Sequence, residues 1–196
     1  MNAKPTRFEM IKQRHTQTYQ TALSQGKVDE QMQGLCDYVI STKNYYTSSC
    51  CSGRIILLEK RSDRKIDNFF HRKWHREITK EELEEGFNEK IKGKLWFKVD
   101  PFILHIGCAD LEKSNAILKA MKEAGVKRGG IMLAEKGKFM IELQGTERME
   151  FPAKNGEEEL INKKQLLKVL KEANELVRKN YARLEKLEKT FRKNLE

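Results

Sequence analysis

The chain has 196 residues, 38% hydrophobic and 35% charged, a balance that suits one well-filled core with a helical appendage and excludes a disordered or fibrous protein. No apolar run approaches the roughly 20 residues of a membrane-spanning helix, and residues 1–10 carry Lys4 and Arg7 without the apolar stretch of a secretory signal, so a cytoplasmic protein is expected. Lys and Arg number 39 against 29 acids, a formal charge of +10, which favours a polyanionic partner, although Lys- and Glu-rich surfaces also occur in heat-adapted proteins.

Two helices open the chain. Phe8, Ile11, Tyr19, Ala22 and Leu23 recur at helical spacing with Gly26 as the stop. Asp29 then reads as the N-cap of a helix whose apolar face holds Met32, Leu35, Cys36, Val39 and Ile40. From Tyr45 to Arg54 the texture is small and hydroxyl-rich, which predicts a loop leading into a short apolar strand at residues 55–58. The basic stretch 60–76 reads as a surface segment, and Thr79 with Glu82 forms a capping box that starts a helix bearing Leu83 and Phe87.

Strands are predicted at 95–99 and 102–108, separated by Pro101. Asp110 caps a helix with Leu111, Ile117, Leu118 and Met121, ended by Gly125. Residues 131–134 and 139–143 flank Lys136-Gly137 as a hairpin, and 148–151 adds a strand. From residue 162 onward the apolar positions Leu166, Leu170, Ala173, Val177, Tyr181, Leu184 and Phe191 step by three, four or, at the end, seven, with no glycine or proline between them. They predict one helix of about 32 residues and about 48 Å, whose cationic distal end either projects or finds a partner. The expected fold is therefore α+β or mixed α/β: a catalytic domain over 1–161 with a mixed sheet covered by helices, and a long C-terminal helix over 162–196.

Cys36, Cys50, Cys51 and Cys108 contain no Cys-x-x-Cys pair, so neither a disulfide framework nor a zinc ribbon is indicated. His71 and His75 stand four apart but lack a third ligand at a sensible distance, and no metal site is expected. Neither a Rossmann glycine fingerprint nor a Walker loop is present. Lys127-Arg128-Gly129-Gly130 reads equally as a turn or as a phosphate site. The segment Ser48 to Arg54 reads either as a solvated loop or as an anion grip closed by an arginine. Trp74 and His75 in their basic stretch suit an unstacked base between phosphates, or else a loop aromatic folded onto the core. His105, inside an apolar strand, reads as a core histidine.

Several stretches together resemble the family of tRNA wybutosine-synthesizing methyltransferases that act at the third step of that pathway, especially its archaeal members. They are Ser48-Ser49-Cys50-Cys51-Ser52-Gly53-Arg54-Ile55, Lys73-Trp74-His75, Leu95 through His105, Gly125 through Ile131, and Gly145 through Glu150. The agreement runs from Asp29 to the C-terminal helix, with Cys50 at a serine-like position and Gly129 where the family tends to have serine. The resemblance implies methyl transfer from S-adenosyl-L-methionine (SAM) to N-4 of a tricyclic wyosine-type base beside the anticodon of phenylalanine tRNA. On it, His75 is the candidate base, Ser49, Ser52 and Arg54 the candidates for holding the SAM carboxylate or an RNA phosphate, and Lys73, Trp74 and Arg128 the RNA contacts. A typical Rossmann methyltransferase topology is not expected. The rival from another class is a non-catalytic basic RNA-binding or scaffold protein.

Overall fold

Three helices start where side-chain caps at Thr6, Thr79 and Asp110 put them. The structure, a computed structural model, describes residues 4–195, so the first three residues of the stretch read for a leader, and Glu196 of the predicted C-terminal helix, lie outside the described residues. Helix α1 (Arg7–Ser24) starts from Thr6, whose side chain accepts from Glu9 N in a capping box. Helix α2 (Glu30–Ser41) follows Asp29, α3 (Lys80–Asn88) follows the Thr79/Glu82 capping box, and α4 (Leu111–Glu123) follows Asp110, which accepts from Lys113 N at 2.8 Å. Helix α5 runs Lys163–Asn194, 32 residues.

Contacts divide the chain into two compact units, each built from discontiguous segments. The first holds residues up to Ser52, Phe102–Thr146 and those from Tyr181 onward. Its strands are β1 (Tyr45–Cys51), β5 (Ile103–Cys108), β6 (Arg128–Glu135) and β7 (Lys138–Gln144), in the order β1-β5-β7-β6. Alternation sends Leu104, Ile106, Ile141 and Leu143 to one face, where they join Met32 and Leu35 of α2, Ile117 and Met121 of α4, and Leu184, Leu187 and Phe191 of α5 in one buried core. The cationic distal turn of α5 thus finds its partner: Lys193 and Asn194 reach Glu123 at 3.2 and 2.7 Å. On the opposite face Tyr46 lies across from Gly107, and a Cβ on that glycine would sit 2.0 Å from the Tyr46 ring. Only a glycine admits the ring there.

The second unit holds Gly53–Pro101 and Glu147–Asn180. Strands β2 (Arg54–Lys60), β3 (Asn68–Trp74), β4 (Lys94–Asp100), β8 (Met149–Asn155) and the two-residue β9 (Glu158–Glu159) form a sheet of order β3-β2-β4-β8-β9. One face carries buried Ile55, Leu57, Leu95, Phe97 and Val99, and α3 contributes Leu83 and Phe87. From α5, Asn174 exchanges two hydrogen bonds with the Ile78 backbone, at 2.9 and 3.1 Å.

The expected mixture of α and β structure with a long C-terminal helix is present. The single mixed sheet is not: every pairing in both sheets is antiparallel. Two segments read as loops are strands. The hydroxyl run is β1, whose small side chains pair with β5, and part of the basic 60–76 stretch is the edge strand β3, whose Arg72 and Lys73 blunt an exposed edge.

Candidate functional site

In the first unit the hydroxyl run is fixed by pairing. A bulge at Ser48 separates Thr47, opposite Ile106, from Ser49, opposite His105. Ser49 is exposed, and Thr47 is buried. Ser52, fully buried, donates through both its N–H and its hydroxyl to Asp29 Oδ2, at 2.7 and 3.0 Å. Asp29 occupies the N-cap position of α2 but makes no side-chain cap bond; its carboxylate anchors the end of β1 instead. The candidate Ser52 therefore has its polar groups committed within the protein.

Beside Ser49 lies a cavity of about 200 Å³ rimmed by Lys27 and walled by His15, Tyr19 and Cys50. Burial, then Arg14 and Lys138, push the His15 imidazole below its ordinary pKa. The hydrogen bond between Cys36 and Cys50 lowers the Cys50 thiol and raises that of Cys36. The cavity has room for the amino-acid end of a SAM-sized ligand and not for all of it, since whole-ligand sites span roughly 300–1,000 Å³. A larger cavity in this unit, about 640 Å³, is lined by Arg7, Phe8, Lys43, Asn44 and Lys136 and holds none of the sequence-predicted residues.

The face of this sheet that turns away from its core carries a polar row. Ser49 stands opposite His105, His105 opposite Glu142, and Glu142 opposite Gly130. His105 Nε2 lies 2.9 Å from Glu142 Oε2, and both side chains are partly exposed. The reading of His105 as a core histidine is thus corrected. Its neighbours Leu104 and Ile106 are the buried ones, and period-two alternation places His105 on the other side. Arg128 opens β6, exposed, opposite Gln144 on this same face. Gly129, at φ +153°, lets the backbone approach so closely that a Cβ would lie 2.4 Å from the Glu142 carbonyl oxygen.

In the second unit Arg54 lies opposite Asp100, and its Nε and Nη2 both reach Asp100 Oδ2 at 3.3 Å. The guanidinium also lies 5.1 Å from the centre of the Phe70 ring, and Lys73 Nζ lies 5.6 Å from the same ring. Arg54 and Lys73 are thus brought together around Phe70, which sequence reasoning passed over. Trp74 turns the other way: a Cβ on Gly86 of α3 would sit 3.7 Å from its Cη2. It packs against that helix and is not a free stacking surface, because one residue along a strand reverses the face. His75 follows β3 directly and is half-buried. The sequence-predicted residues therefore divide, with Ser49, Ser52 and Arg128 in the first unit and Arg54, Lys73, Trp74 and His75 in the second. Among the described residues no helix is long and apolar enough to cross a membrane.

Comparison with known proteins gives a consistent result. The family described as "Methyltransferase TYW3" matches residues 6–193. A tRNA(Phe) 7-((3-amino-3-carboxypropyl)-4-demethylwyosine(37)-N(4))-methyltransferase of Thermococcus sibiricus is 33% identical over 187 residues, covering 95% of each chain. An enzyme of the same description from Pyrococcus horikoshii is 32% identical over 182 residues, covering 92% of this chain and 93% of its own. Among solved structures, the PH1069 protein from Pyrococcus horikoshii superposes with a TM-score of 0.88 at 31% identity, covering 94% of this chain and 97% of that one. A hypothetical protein from Aeropyrum pernix, 20% identical, shares the fold with a TM-score of 0.73 over 85% of this chain and 99% of that one.

Proposed function

The chain belongs to the methyltransferase TYW3 family, and from that premise we propose that it methylates N-4 of a 7-(3-amino-3-carboxypropyl)-4-demethylwyosine base at position 37 of phenylalanine tRNA, with SAM as donor, in the cytoplasm. The carrying observation is the near-full-length match to relatives of that description. SAM supplies, when bound, a methyl group on a positively charged sulfur. The transfer breaks that C–S bond and forms an N–C bond, and the proton on N-4 must go to a base.

We assign that proton to His75, half-buried between Trp74 and Arg76. An imidazole titrates near neutral pH and so accepts a proton under working conditions. Arg54, steadied by Asp100 and Phe70, suits a carboxylate or a phosphate, and the exposed Ser49 with Lys27 suits the polar end of an amino acid. A second reading is favoured by one observation: the 2.9 Å pairing of His105 with Glu142, since a carboxylate partner fixes the orientation of an imidazole.

Single-turnover methylation of substrate tRNA, with SAM affinity measured by calorimetry, separates the two. His75→Asn is expected to slow the chemical step about 100-fold or more and to leave SAM affinity nearly intact. If His105→Asn produces that loss and His75→Asn does not, the base is His105. No methyl transfer by the unaltered chain, with SAM and the substrate tRNA both supplied, would overturn the proposed reaction.

A further inference from the structure

The outer face of the five-stranded sheet carries a pattern of which the methyl-transfer reading uses only the Arg54 end. Register places Phe70, Leu58, Trp96 and Pro152 in one row across β3, β2, β4 and β8. The bulge at His71 is what turns Phe70 onto this face, and Trp96 arrives there by simple alternation. Phe70 is 56% exposed, Pro152 is exposed, and Leu58 and Trp96 are half-buried. On one side the next row carries Asn68, Lys60, Lys94 and Asn155; on the other it carries Lys73, the buried Ile56, Lys98 and Glu150.

The cations already attend the rings. Lys60 Nζ lies 4.2 Å from the Trp96 centroid, and Lys73 and Arg54 lie over Phe70. At the Lys60 end a cavity of about 460 Å³ is lined by Lys60, Arg61, Lys92, Lys94, Trp96 and Asn155. The carboxylates of Asp100 and Glu150 on this face are neutralised by Arg54 at 3.3 Å and Lys98 at 3.0 Å. An apolar strip between two cationic rows is matched in charge and shape to unpaired nucleotides. Bases stack on the rings while phosphates run along the lysines. Four strands about 4.8 Å apart make a row of about 14 Å, and a four-stranded sheet with exposed aromatics stacks two or three bases.

We propose that the row Phe70–Leu58–Trp96–Pro152 with its flanking lysines is a platform for two or three unpaired nucleotides of the RNA substrate, apart from the base that is methylated. The proposal rests on the reading of the partner as tRNA. Its test uses the two-tryptophan content of the chain: in a Trp74→Phe background, Trp96 is the sole tryptophan. Hexauridylate is expected to quench its emission, and a duplex RNA of equal length to leave it unchanged. In the otherwise unaltered chain, Phe70→Ala is expected to weaken binding of substrate tRNA about tenfold, as is the double change Lys73→Glu, Lys94→Glu.

The proposal is overturned if Phe70→Ala binds tRNA with unchanged affinity. It is also overturned if the face proves to join two copies of the chain, seen as self-association in sedimentation that Phe70→Ala abolishes while RNA affinity stays the same. The proposed reaction fails separately. A chain that binds tRNA through this face but transfers no methyl group keeps the platform and loses the chemistry. One that methylates normally while Phe70→Ala binds as before loses the platform alone.

Discussion

Ser52 shows how one hydroxyl passes from a ligand candidate to a fastener. Its N–H and Oγ both meet the Asp29 carboxylate at 3.0 Å or less, with no exposed surface. A hydrogen bond to a charged acceptor typically contributes about 1.5–3 kcal/mol, so Ser52→Ala is expected to lower stability by about 2 kcal/mol in urea unfolding while SAM affinity stays as it was. A variant with unchanged stability and weakened SAM binding would return Ser52 to the ligand site. The sequence singled out the segment as a whole and could not divide its labour. Ser49 and Ser52 are alike in composition, and only the pairing of β1 exposes one and buries the other. His105 was read onto the wrong face and Phe70 was passed over for the same reason. Their facing depends on a register and a bulge that no single strand announces.

Among the elements, the turn into β4 hangs on one buried acid near the end of β2. Glu59 accepts from Arg61 Nε and Nη2 at 3.0 Å each, and from the backbone N–H groups of Lys92 and Gly93 at 2.6 and 2.9 Å. Arg61 first, and then those two N–H groups, hold its carboxyl at about 2, against an ordinary 4.5. The folded value lies below the unfolded one, so the stabilisation is complete above about pH 4.5 and disappears as the pH falls towards 2. The shift corresponds to about 3 kcal/mol. Glu59→Gln is therefore expected to unfold more readily at neutral pH and to lose less stability than the parent between pH 4.5 and 2. Parallel acid limbs in the two denaturation series would show that Glu59 carries no such linkage.

Helices were the most legible elements because their signals are local. Thr79 with Glu82, Asp110, and the uninterrupted stripe from Leu166 to Phe191 each sit within a turn or two of what they specify. The hairpin around Lys136-Gly137 was legible for the same reason, with Gly137 at φ +73°. Strands β1 and β3 were not. Tyr45, Tyr46 and Thr47 in β1, and Phe69, Phe70 and Trp74 in β3, favour strands, but neither segment has the apolar alternation that marks one, and distant partners decide the outcome. The antiparallel character of the sheets, and the division of the strands between them, likewise depend on pairings far apart in sequence.

For the whole molecule the formal charge of +10 sets the expectation for RNA. Each phosphate neutralised releases counterions, so affinity for substrate tRNA should fall with a log–log slope of several units between about 50 and 200 mM salt. A flat dependence would mean that the cations do not meet phosphates and would argue for a small-molecule substrate.

The core of the first unit also imposes an order in time. Its α2 and β1 residues wait for β5 and β7, about 55 to 100 positions later, and Leu184, Leu187 and Phe191 complete the same core after some 40 more. The strands β2, β3 and β4 of the second unit lie within Arg54–Asp100 and can pair as soon as that stretch has been made. During vectorial synthesis the intervening segment thus assembles its hairpins while the apolar face of Met32, Leu35 and Val39 stands open. Loop closure across such separations is slow, and an uncovered apolar face is what chaperones bind.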